Sequence, residues 1–128
     1  MSIQLDMIGM TVRDMGAALA FYRLLGLEIP ATAAGEEHVE AITPNGYRLA
    51  WDTVAMIKGL YPDWQEPAGQ RVGLAFKCDS PAEVDATFAR LTAAGYQPRR
   101  APWDAFWGQR YAVVLDPDGN GVDLFAAQ

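Results

Sequence analysis

The chain has 128 residues, 51% of them hydrophobic, and 16 acidic side chains against 10 Lys and Arg give a formal charge of −6. That length is one domain's worth, enough to bury roughly two-thirds of its surface. The acidic balance, with no basic cluster, argues against a nucleic-acid partner, whose phosphates need neutralising, and favours neutral or cationic small ligands. No stretch approaches the ~20 apolar residues of a membrane span, and the start MSIQLDMIGM carries Asp6 and no apolar signal-peptide core. One cysteine, Cys78, excludes an internal disulfide framework, so a cytoplasmic protein is expected.

The first half opens with a strand pattern over Leu5–Val12. Asp14 is placed to cap a helix to about Leu25, with Met15, Leu19 and Tyr22 on one face. Gly26 follows where helices commonly end in a left-handed residue. Leu27–Pro30, Glu37–Ile42 and Tyr47–Trp51 read as three short strands, the last two joined at Pro44-Asn45-Gly46. Between Thr53 and Gln70 the pattern predicts a brief helical turn near Val54–Leu60, with Pro62 and Pro67 forbidding a long helix.

The second half repeats the order. Arg71–Lys77 reads as a strand, and Ser80 caps a helix with Pro81 first and Glu83 third, the pattern of a capping box. Val84, Phe88 and Leu91 repeat the apolar spacing, Phe21, Phe76 and Phe88 are assigned to the core, and Gly95 ends the helix. A strand near Arg99–Ala101 then precedes Arg110–Leu115 and Gly121–Phe125, which the turn Asp116-Pro117-Asp118-Gly119-Asn120 joins. The two halves look alike in sequence as well as in order. Asn45-Gly46-Tyr47-Arg48-Leu49 matches Asn120-Gly121-Val122-Asp123-Leu124, and Met7-Ile8-Gly9 matches Arg71-Val72-Gly73. The expected architecture is α+β: one domain of two βαβββ modules, residues 1–60 and 70–128, with 61–69 as linker.

A duplicated βαβββ unit with FYRLLGLEI after the first strand and DPDGNGVDLF near the end resembles the vicinal-oxygen-chelate superfamily, which includes glyoxalase I, extradiol dioxygenases and the bleomycin-resistance proteins. Within it, GYRLAWDTV and PWDAFWGQRYAVVLDPDGNGVDLFA are most similar to the mitomycin-binding resistance proteins. The resemblance implies cup-shaped mixed sheets and a homodimer. It also implies a four-ligand metal site in the superfamily's enzymes, carried here onto Met7, Arg48, Arg71 and Asp123. Only Asp123 is a suitable ligand for a hard divalent metal. With His38 and Cys78 the only histidine and cysteine, no metal and no cofactor is expected.

Function is expected in the aromatics. Trp51 and Tyr47 share a strand face by alternation, Trp103 and Phe106 fall in a loop, and Trp107 and Tyr111 start the last hairpin. Flat ligands stack on such rings, each of which offers roughly 150–250 Å². Arg48, Arg71 and Arg110 are placed to donate hydrogen bonds to ligand carbonyls; Arg110 can instead stack on a tryptophan or pair with Asp104. His38 reads either as a rim histidine or as a ligand donor. Trp64 reads as a packing anchor or dimer contact. Asp52 and Glu40 are the nearest acid–base candidates, but without a motif around them each reads first as a solvated or paired strand carboxylate. The predicted function is non-enzymatic sequestration of a planar antibiotic in a dimer cleft. The alternative is a metal-independent lyase or isomerase.

Overall fold

In the computed structural model, which describes residues 2–70 and 72–128, the chain forms two compact units that divide between Glu66 and Pro67. The division falls inside the connection expected at 61–69.

The first unit runs β1 (Met7–Val12), α1 (Met15–Leu24), a 3-10 helix (Ala31–Gly35), β2 (His38–Ile42), β3 (Arg48–Thr53) and α2 (Val54–Leu60). Asp14 caps α1, its Oδ1 accepting from the Ala17 amide at 3.0 Å, and Gly26 ends the helix with φ of 91°. Its sheet has the order β1-β3-β2, with β1 parallel and β2 antiparallel to β3. Alternation along β3 sends Leu49 and Trp51 to the side covered by α1, where the Tyr22 ring lies 5.3 Å from that of Trp51.

The strand expected at Leu27–Pro30 is absent. Leu27 and Ile29 are buried while Glu28 and Pro30 are exposed, the alternation of an extended chain. Its carbonyls, however, are taken by a side chain rather than by a neighbouring strand: Arg23 donates to Ile29 O at 2.9 Å and to Pro30 O at 2.6 Å. The first sheet therefore has three strands.

The second unit runs β4 (Leu74–Lys77), α3 (Pro81–Ala93), β5 (Pro98–Ala105), β6 (Gln109–Leu115) and β7 (Gly121–Ala127), with sheet order β4-β7-β6-β5. Ser80 Oγ accepts from the Glu83 amide at 3.2 Å, and the Glu83 carboxylate reaches back to the Asp79 amide at 3.0 Å, one residue before the cap itself. Gly95 closes α3 with φ of 98°. Helix α3 packs on the β5–β6–β7 side that carries Ala112, Val114, Val122, Leu124 and Ala126, all buried. Of the three phenylalanines assigned to the core, Phe21 is fully buried, whereas Phe76 and Phe88 are half-buried. The β4 strand begins at Leu74, and Arg71 lies outside the described residues. Among the described residues, no helix is long and apolar enough to cross a membrane.

The hydrogen bonds also set the repeat's register, and it differs from the sequence matches. The Thr43 amide donates to Tyr47 O at 2.8 Å, and the Asp116 amide to Asn120 O at 2.9 Å, so these two turns are equivalent. Ile42 pairs with Arg48 as Leu115 pairs with Gly121. Arg48 thus corresponds to Gly121, and Asp123 to Ala50, a shift of two residues. On the first strands Met7 pairs with Arg48, and the Leu74–Val122 pair puts Gly73 in the matching place. The helix caps agree, since Asp14 follows Met7, and Ser80 follows Gly73, by the same seven residues.

Candidate functional site

Each sheet has one face under a helix and one without. In the first unit the uncovered face carries an ionic ladder. Its register pairs His38 with Asp52, Glu40 with Ala50, and Ile42 with Arg48. His38 Nδ1 meets Asp52 Oδ1, and Nε2 meets Glu40 Oε2 at 2.6 Å. Arg48 donates to both Glu40 oxygens at 2.7 and 2.8 Å, and to Asp6 at 2.7 Å. Two carboxylates facing the two ring nitrogens favour the imidazolium, so the His38 pKa is raised, first through the Asp52 bond and then through Glu40. Glu40 is held down to about 2 by the Arg48 and His38 bonds. Every charged group named here has a partner of opposite sign.

The second unit's uncovered face is aromatic. Trp103 on β5 pairs in register with Tyr111 on β6, which pairs with Phe125 on β7. Alternation puts all three on the side away from α3. Between β5 and β6 a turn closes with the Gly108 amide donating to Ala105 O at 3.0 Å, and Gly108 has φ of 87°. That turn presents Phe106, 96% exposed, and Trp107, 48% exposed. The Trp107 ring lies 6.1 Å from Trp103, 5.0 Å from Phe106 and 5.3 Å from Tyr111, edge to face in each case. Its Nε1 donates to Gln109 at 2.8 Å, which fixes the indole. Tyr111 stacks on Phe125 at 6.2 Å and donates to Asp123 at 2.5 Å. Burial and then that carboxylate push its pKa up to about 12, so it stays a donor at neutral pH.

Four of the nine candidate ligand-binding residues, Trp103, Phe106, Trp107 and Tyr111, therefore form one cluster. Trp103 belongs to a strand instead of the expected loop, which points its ring into the cluster. Trp51 is corrected outright: it is fully buried, with its Nε1 lacking a hydrogen-bond partner among the described residues, and it is a core side chain of the first unit. Tyr47 sits at the turn before β3, exposed, and its backbone closes that turn. For Arg110 the ligand-donor and stacking readings are corrected, while the alternative pairing with Asp104 holds. Its register partner Ala126 faces α3, and the guanidinium takes Asp85 of that helix through two bonds, at 2.9 and 3.2 Å, and Asp104 at 3.0 Å. Arg110 thus turns away from the rings. His38 and Arg48 are members of the first unit's ladder.

Sequence reasoning missed Arg100. Its guanidinium carbon lies 3.7 Å from the Trp103 ring centre. The three-residue spacing to Trp103 did not suggest contact in a strand. It arises because the β5–β6 register shifts between Arg100 and Trp103. Trp64 has Lys58 Nζ 5.9 Å from its ring centre, a contact within the first unit.

The metal positions implied by resemblance also change with the register. The equivalents of Met7 and Asp123 are Gly73 and Ala50, and Arg71 lies outside the described residues. A thioether, a glycine, an alanine and one carboxylate already bound by Tyr111 do not fit a divalent metal. Among the described residues no three His, Cys, Asp or Glu side chains are grouped to hold a metal ion.

The sequence pattern of the Glyoxalase/Bleomycin resistance protein/Dioxygenase superfamily matches residues 4–124. No curated protein matches the chain in sequence. Among solved structures, a glyoxalase/bleomycin resistance protein/dioxygenase family enzyme from Burkholderia phytofirmans PsJN is 21% identical with a TM-score of 0.84, over 96% of this chain and 98% of that one. A glyoxalase-related enzyme from Fulvimarina pelagi is 24% identical with a TM-score of 0.80, over 96% and 87% respectively. A glyoxalase/bleomycin resistance protein/dioxygenase from Nocardioides is 25% identical with a TM-score of 0.74, over 99% and 85%. The structural likenesses speak for the fold, and the sequence pattern spans both units. The chain belongs to the Glyoxalase/Bleomycin resistance protein/Dioxygenase superfamily.

Proposed function

We propose that the protein binds a planar small molecule on the aromatic face of its second unit and holds it without chemistry, in the manner of a drug-sequestering protein. The observation that carries this reading is the cluster of Trp103, Phe106, Trp107 and Tyr111 on a sheet face that α3 does not cover. Rings left this exposed are unusual on a soluble surface unless something covers them. At about 25 cal/mol per Å², covering two such rings yields several kcal/mol gross, consistent with micromolar affinity after association costs. Antibiotics with a flat quinone or polycyclic core have the matching shape. The protein is read as a homodimer, because each sheet ends in edge strands and has a face without a helix.

The test is equilibrium binding of quinone-type and polycyclic antibiotics to the purified protein, with the ligand recovered and weighed by mass spectrometry. Micromolar binding with the ligand returned unaltered supports sequestration. Conversion at several turnovers per second, the range of ordinary enzymes, refutes it. Light scattering at twice the chain mass supports the dimer; a monomer at micromolar concentration contradicts it.

A second reading, metal-independent acid–base catalysis, is favoured by His38, whose Nδ1 faces Asp52 as a general base's orienting carboxylate would. It requires a substrate to displace Glu40 from Nε2, and His38→Gln would then abolish any turnover found.

A further inference from the structure

We infer that Arg100 selects the charge of the ligand: the aromatic face takes flat molecules that carry an anionic oxygen, such as an aromatic carboxylate, at one edge. This rests on the proposed role of that face. The guanidinium lies on the Trp103 ring, 3.7 Å from its centre. Five other arginines already meet a carboxylate or another oxygen acceptor. Arg110 is held by two aspartates, Arg48 by Glu40 and Asp6, Arg13 by Glu66, Arg23 by two carbonyls, and Arg99 by Gln70. Among the described residues, no oxygen acceptor reaches Arg100.

A planar guanidinium stacked on an indole keeps its in-plane N–H groups directed outward, parallel to the ring it covers. Trp107 and Tyr111 stand edge to face against Trp103, 6.1 and 5.4 Å away. A ligand ring laid on Trp107 or Tyr111 therefore brings its edge toward the unspent fork of Arg100. A carboxylate accepts two parallel bonds from that fork, which a neutral hydroxyl cannot. The nearby acids do not oppose this at close range. Asp123 is bound by Tyr111, while Asp104 is bound by Arg110 and Gln128. The overall charge of −6 acts from farther away and is screened beyond a Debye length of about 8 Å at physiological salt.

The test uses 2-anthracenecarboxylate and the neutral 2-anthracenemethanol, equal in ring shape, titrated by calorimetry into the whole protein and into two variants. Arg100→Met keeps an apolar side chain against Trp103 without the charge, and the exposed site should leave the melting temperature unchanged. The parent should bind the carboxylate about tenfold tighter than the alcohol. Arg100→Met should lower that ratio to about one by weakening the carboxylate alone, and high salt should do the same in part. Trp107→Ala should weaken both probes by a similar factor. Equal binding of both probes by the parent, or a ratio unchanged in Arg100→Met, overturns the charge selection and leaves the aromatic site standing. Binding of neither probe by the parent overturns the aromatic site, and the selection with it.

Discussion

The two units share a strand–helix–strand plan and matching registers, yet their uncovered faces are chemically opposite. The first closes its face with a ladder of charges that satisfy one another, from Asp52 through His38, Glu40 and Arg48 to Asp6. The second leaves aromatic rings facing outward, with Phe106 almost wholly exposed. Register fixes which positions reach that face, but nothing in the backbone fixes what stands there. Met7 has Gly73 as its counterpart, and Asp123 has Ala50. Fold membership therefore says little about activity here, and function must be argued from the side chains.

The same contrast holds between Trp51 and Trp107, and breaking each should have opposite consequences. Trp51 is fully buried against Tyr22, so Trp51→Ala removes a large core side chain and should cost about 3–5 kcal/mol, read as a lower urea midpoint. Trp107→Ala, at a half-exposed turn, should change the midpoint far less. Equal losses from the two would contradict the assignment of core and surface.

The faces beneath the helices should behave alike, which sharpens the contrast above them. Asp14 and Ser80 each satisfy one amide at the start of their helix. Replacing either with Ala should cost about 1 kcal/mol, and the two losses should be similar. A loss confined to one unit would show that the two helix starts are not equivalent.

How far the chain was legible follows the range of the interaction involved. Caps and turns were readable because Asp14, Ser80, Gly26, Gly95 and the DPDGN turn act within a few residues. Trp51 was not, because alternation tells which residues share a face but not which face the helix covers. The ligand-donor reading of Arg110 failed for the same reason: one step from Tyr111, it points to α3 and Asp85, although its pairing with Asp104 was readable. Leu27–Pro30 has the alternation of a strand, but the acceptors that would join it to a sheet are occupied by Arg23. Matching Asn45-Gly46 to Asn120-Gly121 paired similar letters, while the hydrogen bonds pair the turns Thr43–Tyr47 and Asp116–Asn120.

The smallest effect belongs to the ladder. His38 has a folded pKa raised above 6.5, so its contribution to stability is present below pH 6.5 and is lost as pH rises through the folded value. Because the pair is partly exposed, the change should stay under about 1 kcal/mol. The parent's melting temperature should decline in that window, and His38→Gln should show no such decline. Identical profiles would mean that the imidazolium does not hold the ladder.

The central claim is that the second unit's rings form the binding face, and the most direct measurement is ligand affinity in Trp107 variants, read by calorimetry with a planar ligand verified on the parent. Stacking needs a ring face, so Trp107→Ala should weaken binding by at least about 1 kcal/mol while Trp107→Phe retains much of it. Trp64→Ala, in the first unit, should leave affinity nearly unchanged. Parent-like affinity in Trp107→Ala would contradict the aromatic site.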